Sequence, residues 1–301
     1  MAISSSLVFL NVGHNGTTCM RKNVTPSSAI CDPLAPVVPA LLEKLMQHIK
    51  AIPPKPPAPP EVLTADHESD FYSILIHERL WPEDEYGWVF DNHVVAYMNV
   101  LIKRSMREPT PFWSKRTAFV DVWWQSFLIH DYAQFMMKPT MFMFKGNGYE
   151  DMIKGRIPDH CRTNLKWYED VAYHVDLKKE KIDCYDPIFG EVTLDSEQRI
   201  LNSFKPLTHM IPAMLSVHIP ANIRPISRKY FSFRRRSKRY TPQNTQVGDC
   251  GVYSLNFVEC LALGVTFDGI NDQNIQGLRM KMAADILAEG GNVVTDQMMA
   301  K

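Results

Sequence analysis

Cys250 is the residue of this chain best placed to act as a nucleophile. It lies in Gln243-Asn-Thr-Gln-Val-Gly-Asp-Cys-Gly-Val-Tyr253, where a polar loop runs into an apolar-periodic segment predicted to be helical over 250 to 263. Asp249 takes the capping position and Cys250 the first turn. Backbone N–H groups and the positive end of a helix favour a thiolate over a thiol, and the thiolate is the nucleophile. The same N–H groups, helped by a side-chain amide from the preceding loop, can hold a developing oxyanion; Gln243 and Asn244 both offer one. Gly248 and Gly251 let other backbone approach closely. An isolated Asp-Cys-Gly describes a structural cysteine at a helix start equally well, and Cys260 on the same segment is read that way. The assignment therefore depends on the elements around it.

Those elements are legible in part. Leu41, Leu42, Leu45, Met46 and Ile49 recur at helical spacing, so residues 36 to 50 are predicted to form a short amphipathic helix. Pro53, Pro54, Pro56, Pro57, Pro59 and Pro60 follow it as an extended polyproline spacer, either a linker or a PxxP ligand. The chain thus divides into residues 1 to 60, a leader with a short helix and a proline-rich linker, and a folded domain over 61 to 301. Asp91 can cap a helix with Val94, Val95, Met98, Leu101 and Ile102 on one face, preceded by Trp81 and Trp88 as core anchors. Thr117 to Trp124 reads as a strand, although Trp123, Phe127 and His130 also fit a buried helix. Val171 to Val175, the polar turn from Asp176 to Lys181, and Ile182 to Tyr185 make a hairpin. Leu194, Ile200, Leu201, Phe204 and Leu207 give a helix capped by Asp195 or Ser196, and Ile211 to His218 begins another short apolar segment. The last two helices, 250 to 263 and about 272 to 289, end at Gly264 and at Gly290-Gly291. Strands in the middle with helices before and after them give an α+β class.

Composition narrows the chemistry. Lys plus Arg and Asp plus Glu each total 33, so no net field recruits nucleic acid or an anionic membrane. The six cysteines, 19, 31, 161, 184, 250 and 260, lack the close pairs of a zinc site and read as reduced thiols inside a cell. No metal or organic cofactor is implied. No apolar run approaches the roughly 20 residues of a membrane span. The first 31 residues contain no Asp or Glu and are rich in Ser and Thr, the composition of an organelle transit peptide or of a disordered leader. Arg228-Lys229 and Arg234-Arg235-Arg236-Ser-Lys238-Arg239 interleave with Tyr230, Phe231, Phe233 and Tyr240. That pattern suits a strand with one buried and one solvated face, and also a nuclear-import or nucleic-acid patch, or a surface for an acidic modifier.

Pro242-Gln243-Asn244, followed by Gly248-Asp249-Cys250-Gly251-Val252-Tyr253, resembles the nucleophile motif of the SUMO-type ubiquitin-like-protein-specific cysteine proteases. Val175 to Ile182 and Tyr185-Asp186-Pro187 resemble the family's hairpin and the catalytic aspartate at its end, and Tyr86-Gly87-Trp88 resembles the domain start of plant, transposon-associated versions. The resemblance spans about residues 80 to 290 and implies a papain-like α+β fold, a central mixed sheet flanked by helices. It implies cleavage at the Gly-Gly end of a ubiquitin-like modifier, with Cys250 as nucleophile, Asp186 as the orienter of a histidine, and Gln243 or Asn244 as oxyanion donor. The family's Gln stands six residues before the Cys; here that position is Asn244, with Gln243 one earlier.

The histidine itself departs from the pattern. The family places His-Trp seven and six residues before the aspartate of the hairpin turn, and counting back from Asp176 gives Glu169 and Asp170. Lys166 to Val171 resembles the segment before a further strand and loop, whereas Ala172 to Asp176 resembles the strand after the His-Trp pair. The two ends are fused, as an exon skip or a decayed element would leave them. His174 is the nearest replacement, but it lies five residues from the expected position and so faces the other side of a strand. His160 reaches the site only if its loop folds back. General-base assistance is worth roughly a hundred- to ten-thousand-fold, so the expectation is a weak or inactive family member, with a non-catalytic binder of a modifier or of nucleic acid as the competing reading.

Overall fold

The computed structural model describes residues 5–11, 32–51, 71–76, 88–105, 107–113, 117–120, 122–145, 149, 170–177, 179–188, 194–219, 227–245 and 247–290. The proline run, Trp81, Tyr86-Gly87, His160 and Cys161, and the Lys166 to Glu169 segment lie outside them. The chain forms two compact units, Met1–Cys19 with Ser114–Gln243, and Met20–Trp113 with Asn244–Lys301.

The first unit is built on a five-stranded mixed sheet: β1 (Ser5–Asn11), β2 (Thr117–Val120), β3 (Asp170–Asp176), β4 (Lys181–Tyr185) and β5 (Ser232–Arg235), in the order β2-β1-β3-β4-β5. β3 and β4 form the expected hairpin, antiparallel with Val175 opposite Ile182 and His174 opposite Asp183. Its turn is closed by the Asp176 carboxylate, which accepts the Lys179 N–H at 2.9 Å. β5 runs parallel to β4, with Ile182 beside Phe233. The alternation of a strand puts Ile182 and Cys184 on one face, where they join Val175 in the core with Phe127, Leu128 and Phe135, and with Phe204, Leu207 and Met214. His174, Asp176 and Asp183 fall on the opposite face.

Two helices supply most of the rest of that core, α4 (Val122–Met137) and α5 (Leu194–His218). The ambiguous stretch from Thr117 to Trp124 is both things in succession: the β-branched and aromatic start is β2, and the helical spacing from Val122 onward is α4. The helix expected around Leu194 and the apolar segment read separately from Ile211 are one helix, which begins at Leu194 and so puts Asp195 and Ser196 inside its first turn. It runs through Pro206 and Pro212. Pro212 has no N–H for the carbonyl four residues earlier, and that carbonyl, on Thr208, instead accepts the Phe231 N–H at 2.9 Å. The proline thereby ties the lead-in to β5 onto the helix.

The sequence placed the folded domain from Glu61 onward, with everything before it a leader and linker. In the structure Ser5–Asn11 is a strand inside the sheet, parallel to β3 along its whole length and antiparallel to β2 from Val8 to Asn11. An apolar segment of this kind finds its backbone partners far away in sequence, and no local pattern announces them.

The second unit is helical: α1 (Pro39–Ala51), α2 (Phe71–Ile76), α3 (Asp91–Ser105), a 3-10 turn (Val247–Asp249), α6 (Cys250–Leu263) and α7 (Ile275–Asp285), which continues into a π turn over Ile286–Gly290. Leu45 of α1 is fully buried, so this helix also belongs to the fold and not to a leader. Trp88 is half-buried ahead of α3. α6 is buried along its entire length, as an apolar helix without a polar stripe must be. Its one carboxylate, Glu259, is compensated by the Tyr97 hydroxyl at 2.6 Å and by Arg104 at 2.6 Å, and Arg104 also meets Asp285 and Glu289. Gly264 ends α6 with φ 71°, and its N–H and that of Val265 close the last turn. Among the described residues no helix is long and apolar enough to cross a membrane.

Candidate active site

Cys250 opens α6 directly after the 3-10 turn, so its thiol stands at the positive end of a buried helix, where the first-turn N–H groups have no helical acceptor. The residue is 5% exposed. Cys184 and Cys260 are also buried, and burial pushes both of their thiols well above the ordinary value. Asp249 occupies the capping position but makes no side-chain bond to the helix. Its carboxylate instead accepts the Arg279 guanidinium, Nε at 2.8 Å and Nη2 at 2.5 Å. Asn244 is half-buried in the loop that leads to this turn, and the next residue, Thr245, is held by Asp272. Asn244 and Cys250 belong to the helical unit; Gln243, Asp186 and His174 belong to the sheet unit.

Asp186 follows the last residue of β4 and is buried. One carboxylate oxygen accepts the Ile188 N–H at 2.8 Å, and the other pairs with the Arg235 guanidinium. Burial raises its carboxyl, and the positive charge of Arg235 opposes that rise. Among the described residues, then, an arginine and a backbone amide engage the carboxylate that the sequence resemblance assigns to a histidine. Gln243 is turned toward the main chain: its amide nitrogen donates to the carbonyls of Thr241 at 2.9 Å, Asp186 at 3.2 Å and Pro242 at 3.4 Å. Oxyanion donation from Gln243 requires those bonds to break.

His174 sits in the middle of β3 with 5% exposure. Burial holds its imidazole down to about 4, against the pull of Asp176 and Asp183. It is level with Asp183, three residues before Asp186, which at about 3.3 Å per residue separates it from that carboxylate by roughly 10 Å along the strand. Asp183 is itself neutralised by Lys181 at 2.6 Å and Arg234 at 2.7 Å.

Arg235 and Arg279 are the residues that reading the sequence missed. Arg235 stands within a basic run that does contain the expected strand: Phe233 packs on the core, Arg234 is half exposed, and Arg235, on the parity of Phe233, turns inward to Asp186. The period-two alternation was the available signal for it. Nothing local in the sequence marks Arg279.

Residues 171–294 match the model of the Ulp1 protease family, C-terminal catalytic domain. No curated protein sequence matches the chain. Similar solved structures include SUMO protease Ulp1 with its catalytic cysteine oxidized to a sulfonic acid, at 13% identity over 85% of this chain and 98% of that one, TM-score 0.47. The C-terminal Ulp1 protease domain in complex with Smt3, the yeast ortholog of SUMO, gives 11% identity over 87% and 99%, TM-score 0.44. The Chaetomium thermophilum Ulp1-like SUMO protease catalytic domain gives 14% over 90% and 93%, TM-score 0.40. The family match takes in the hairpin from Val171, Asp186 and the whole of α6, so that residues 171–294 are similar to the C-terminal catalytic domain of the Ulp1 protease family.

Proposed function

We propose that this domain is built to act on the Gly-Gly end of a SUMO-type ubiquitin-like modifier through Cys250, and that its turnover is weak or absent because the histidine segment is missing. The modifier is inferred from the family and from the SUMO proteases among the similar structures. The observation that carries the second part is the Asp186–Arg235 ion pair. A carboxylate that orients an imidazole accepts its ring N–H, and among the described residues the groups on Asp186 are instead a backbone amide on one oxygen and a guanidinium on the other. The family match begins at Val171, at the junction where the sequence fuses two family segments, which supports the same reading. His174 is a poor substitute: a neutral, buried ring about 10 Å along the strand from Asp186 cannot be oriented by it. Loss of the base removes roughly 3 to 5 kcal/mol of transition-state stabilisation.

The purified chain is expected to leave a Gly-Gly-extended SUMO-type precursor uncut on the timescale of an active family enzyme, while still retaining it in a pull-down. Cys250→Ala should leave both results unchanged. Cleavage by the unmodified chain that disappears in His174→Ala would overturn the inactive assignment.

A further inference from the structure

The segment from Asp272 to Arg279 grips the nucleophile loop at both ends. At its start, Asp272 accepts the Thr245 N–H at 3.3 Å and the Thr245 hydroxyl, and accepts the Tyr253 hydroxyl of α6 at 2.6 Å. At its end, Arg279 of α7 forms the two-pronged pair with Asp249, and its remaining donors reach the Gly248 carbonyl at 3.4 Å and the Leu75 carbonyl at 3.1 Å. Arg279 and Asp249 are each 2% exposed. A buried carboxylate one residue before a thiol disfavours its thiolate, and a guanidinium on that carboxylate offsets the repulsion.

We propose that Arg279 is a positioning residue for Cys250: it fixes the Gly248-Asp249 turn from which the thiol projects and balances the charge of the adjacent Asp249 carboxylate. Asp272 provides the second anchor, on the Asn244-Thr245 side of the same loop. The assignment rests on Cys250 being the domain's nucleophile and goes beyond it by naming what holds the nucleophile reactive. Nothing in it requires a histidine, so it is measurable on the chain as it stands.

The test is the pH profile of Cys250 alkylation by iodoacetamide on the full chain, mapped by peptide mass spectrometry, with Cys184 and Cys260 as reporters of unfolding. In the unmodified chain Cys250 labels faster than either reporter. A unit charge acting on a thiolate in a partly buried site is worth a few kcal/mol at most, so Arg279→Gln is expected to move the midpoint of the Cys250 profile up by roughly half a unit to two units. Asp249→Asn, which leaves the guanidinium beside the thiol, is expected to move it down, and the double variant to return it close to its starting point. Arg279→Lys keeps the charge and so keeps the midpoint. If Arg279→Gln exposes the reporters, Asp249→Asn and Arg279→Lys decide by the same criterion. A Cys250 no faster than Cys184 and Cys260 in the unmodified chain sinks the nucleophile reading itself. A fast Cys250 whose midpoint ignores both Arg279→Gln and Asp249→Asn sinks this assignment alone.

Discussion

At the scale of single residues, the chemistry here is governed by which charge each buried group meets. Cys250 was singled out because its signal is local: a polar loop, a capping position and an apolar helix within a dozen residues. Asp186 was singled out by the family resemblance of the hairpin before it, and its partner was not. A run of arginines reads as a solvated face until the sheet pairs it, and only the β4–β5 register aims Arg235 at Asp186. His174 offers a measurement at the same scale. Its folded-state value of about 4 lies below the ordinary 6.5, so the fold favours the neutral ring. That contribution to stability is complete above pH 6.5 and is lost as the pH falls from 6.5 through 4, to a total of about 3 kcal/mol. Urea titrations at pH 7 and pH 4.5 should show a loss of stability on acidification that is smaller by about 2 kcal/mol in His174→Gln. An identical acid loss in both proteins would mean that the ring is not neutralised by burial.

At the scale of elements, terminations were the most legible features and continuations the least. Gly264 was read as the stop of α6, and it takes the left-handed φ of 71° that only glycine adopts without strain. A Cβ there would stand 3.3 Å from Trp113 Cγ. Gly264→Ala is therefore expected to cost about 1 to 2 kcal/mol, visible as a lower denaturation midpoint at unchanged cooperativity. An unshifted midpoint would show that the turn relaxes freely. α5 went the other way: the apolar segment from Ile211 was read apart from the helix before it, yet one helix runs through Pro206 and Pro212, because the fixed φ of proline fits a helix and the Thr208 carbonyl finds Phe231 instead. The donor that replaces Pro212, the Phe231 N–H, lies outside the helix, so no pattern within the segment marks it.

At the scale of the whole chain, the N-terminal residues are part of the fold. β1 gives β2 its sheet partner and pairs with β3 from Asp170 to Asp176, so a chain beginning at Glu61 lacks that strand and α1 together. Such a truncation should yield little soluble protein, or protein that unfolds at markedly lower urea, since β3 would present an unpaired edge for aggregation. Equal yield and an equal midpoint would restore the leader interpretation. The catalytic question is also settled at this scale, by reinstatement. A strand-loop-His-Trp segment inserted between Val171 and Ala172 leaves the ladder from Ala172 to Asp176 with β4 intact. With Arg235→Gln to release Asp186, it is expected to produce precursor cleavage that Cys250→Ala abolishes. Persistent inactivity of that folded protein would mean that more than the base has been lost.

Local pattern was enough to specify the α+β class, the hairpin, the helix that opens at Cys250 and the two amides before it, because each is encoded within a few turns or strand periods. The missing histidine is likewise a reading of the sequence, counted back from Asp176 to Glu169 and Asp170. The ion pairs Asp186–Arg235 and Asp249–Arg279 join residues 49 and 30 positions apart. The adoption of Ser5–Asn11 into the sheet joins segments separated by most of the domain. Such pairings depend on which faces packing brings together and on the cost of burying a charge or a strand edge without a partner, and neither is written in any short stretch of sequence.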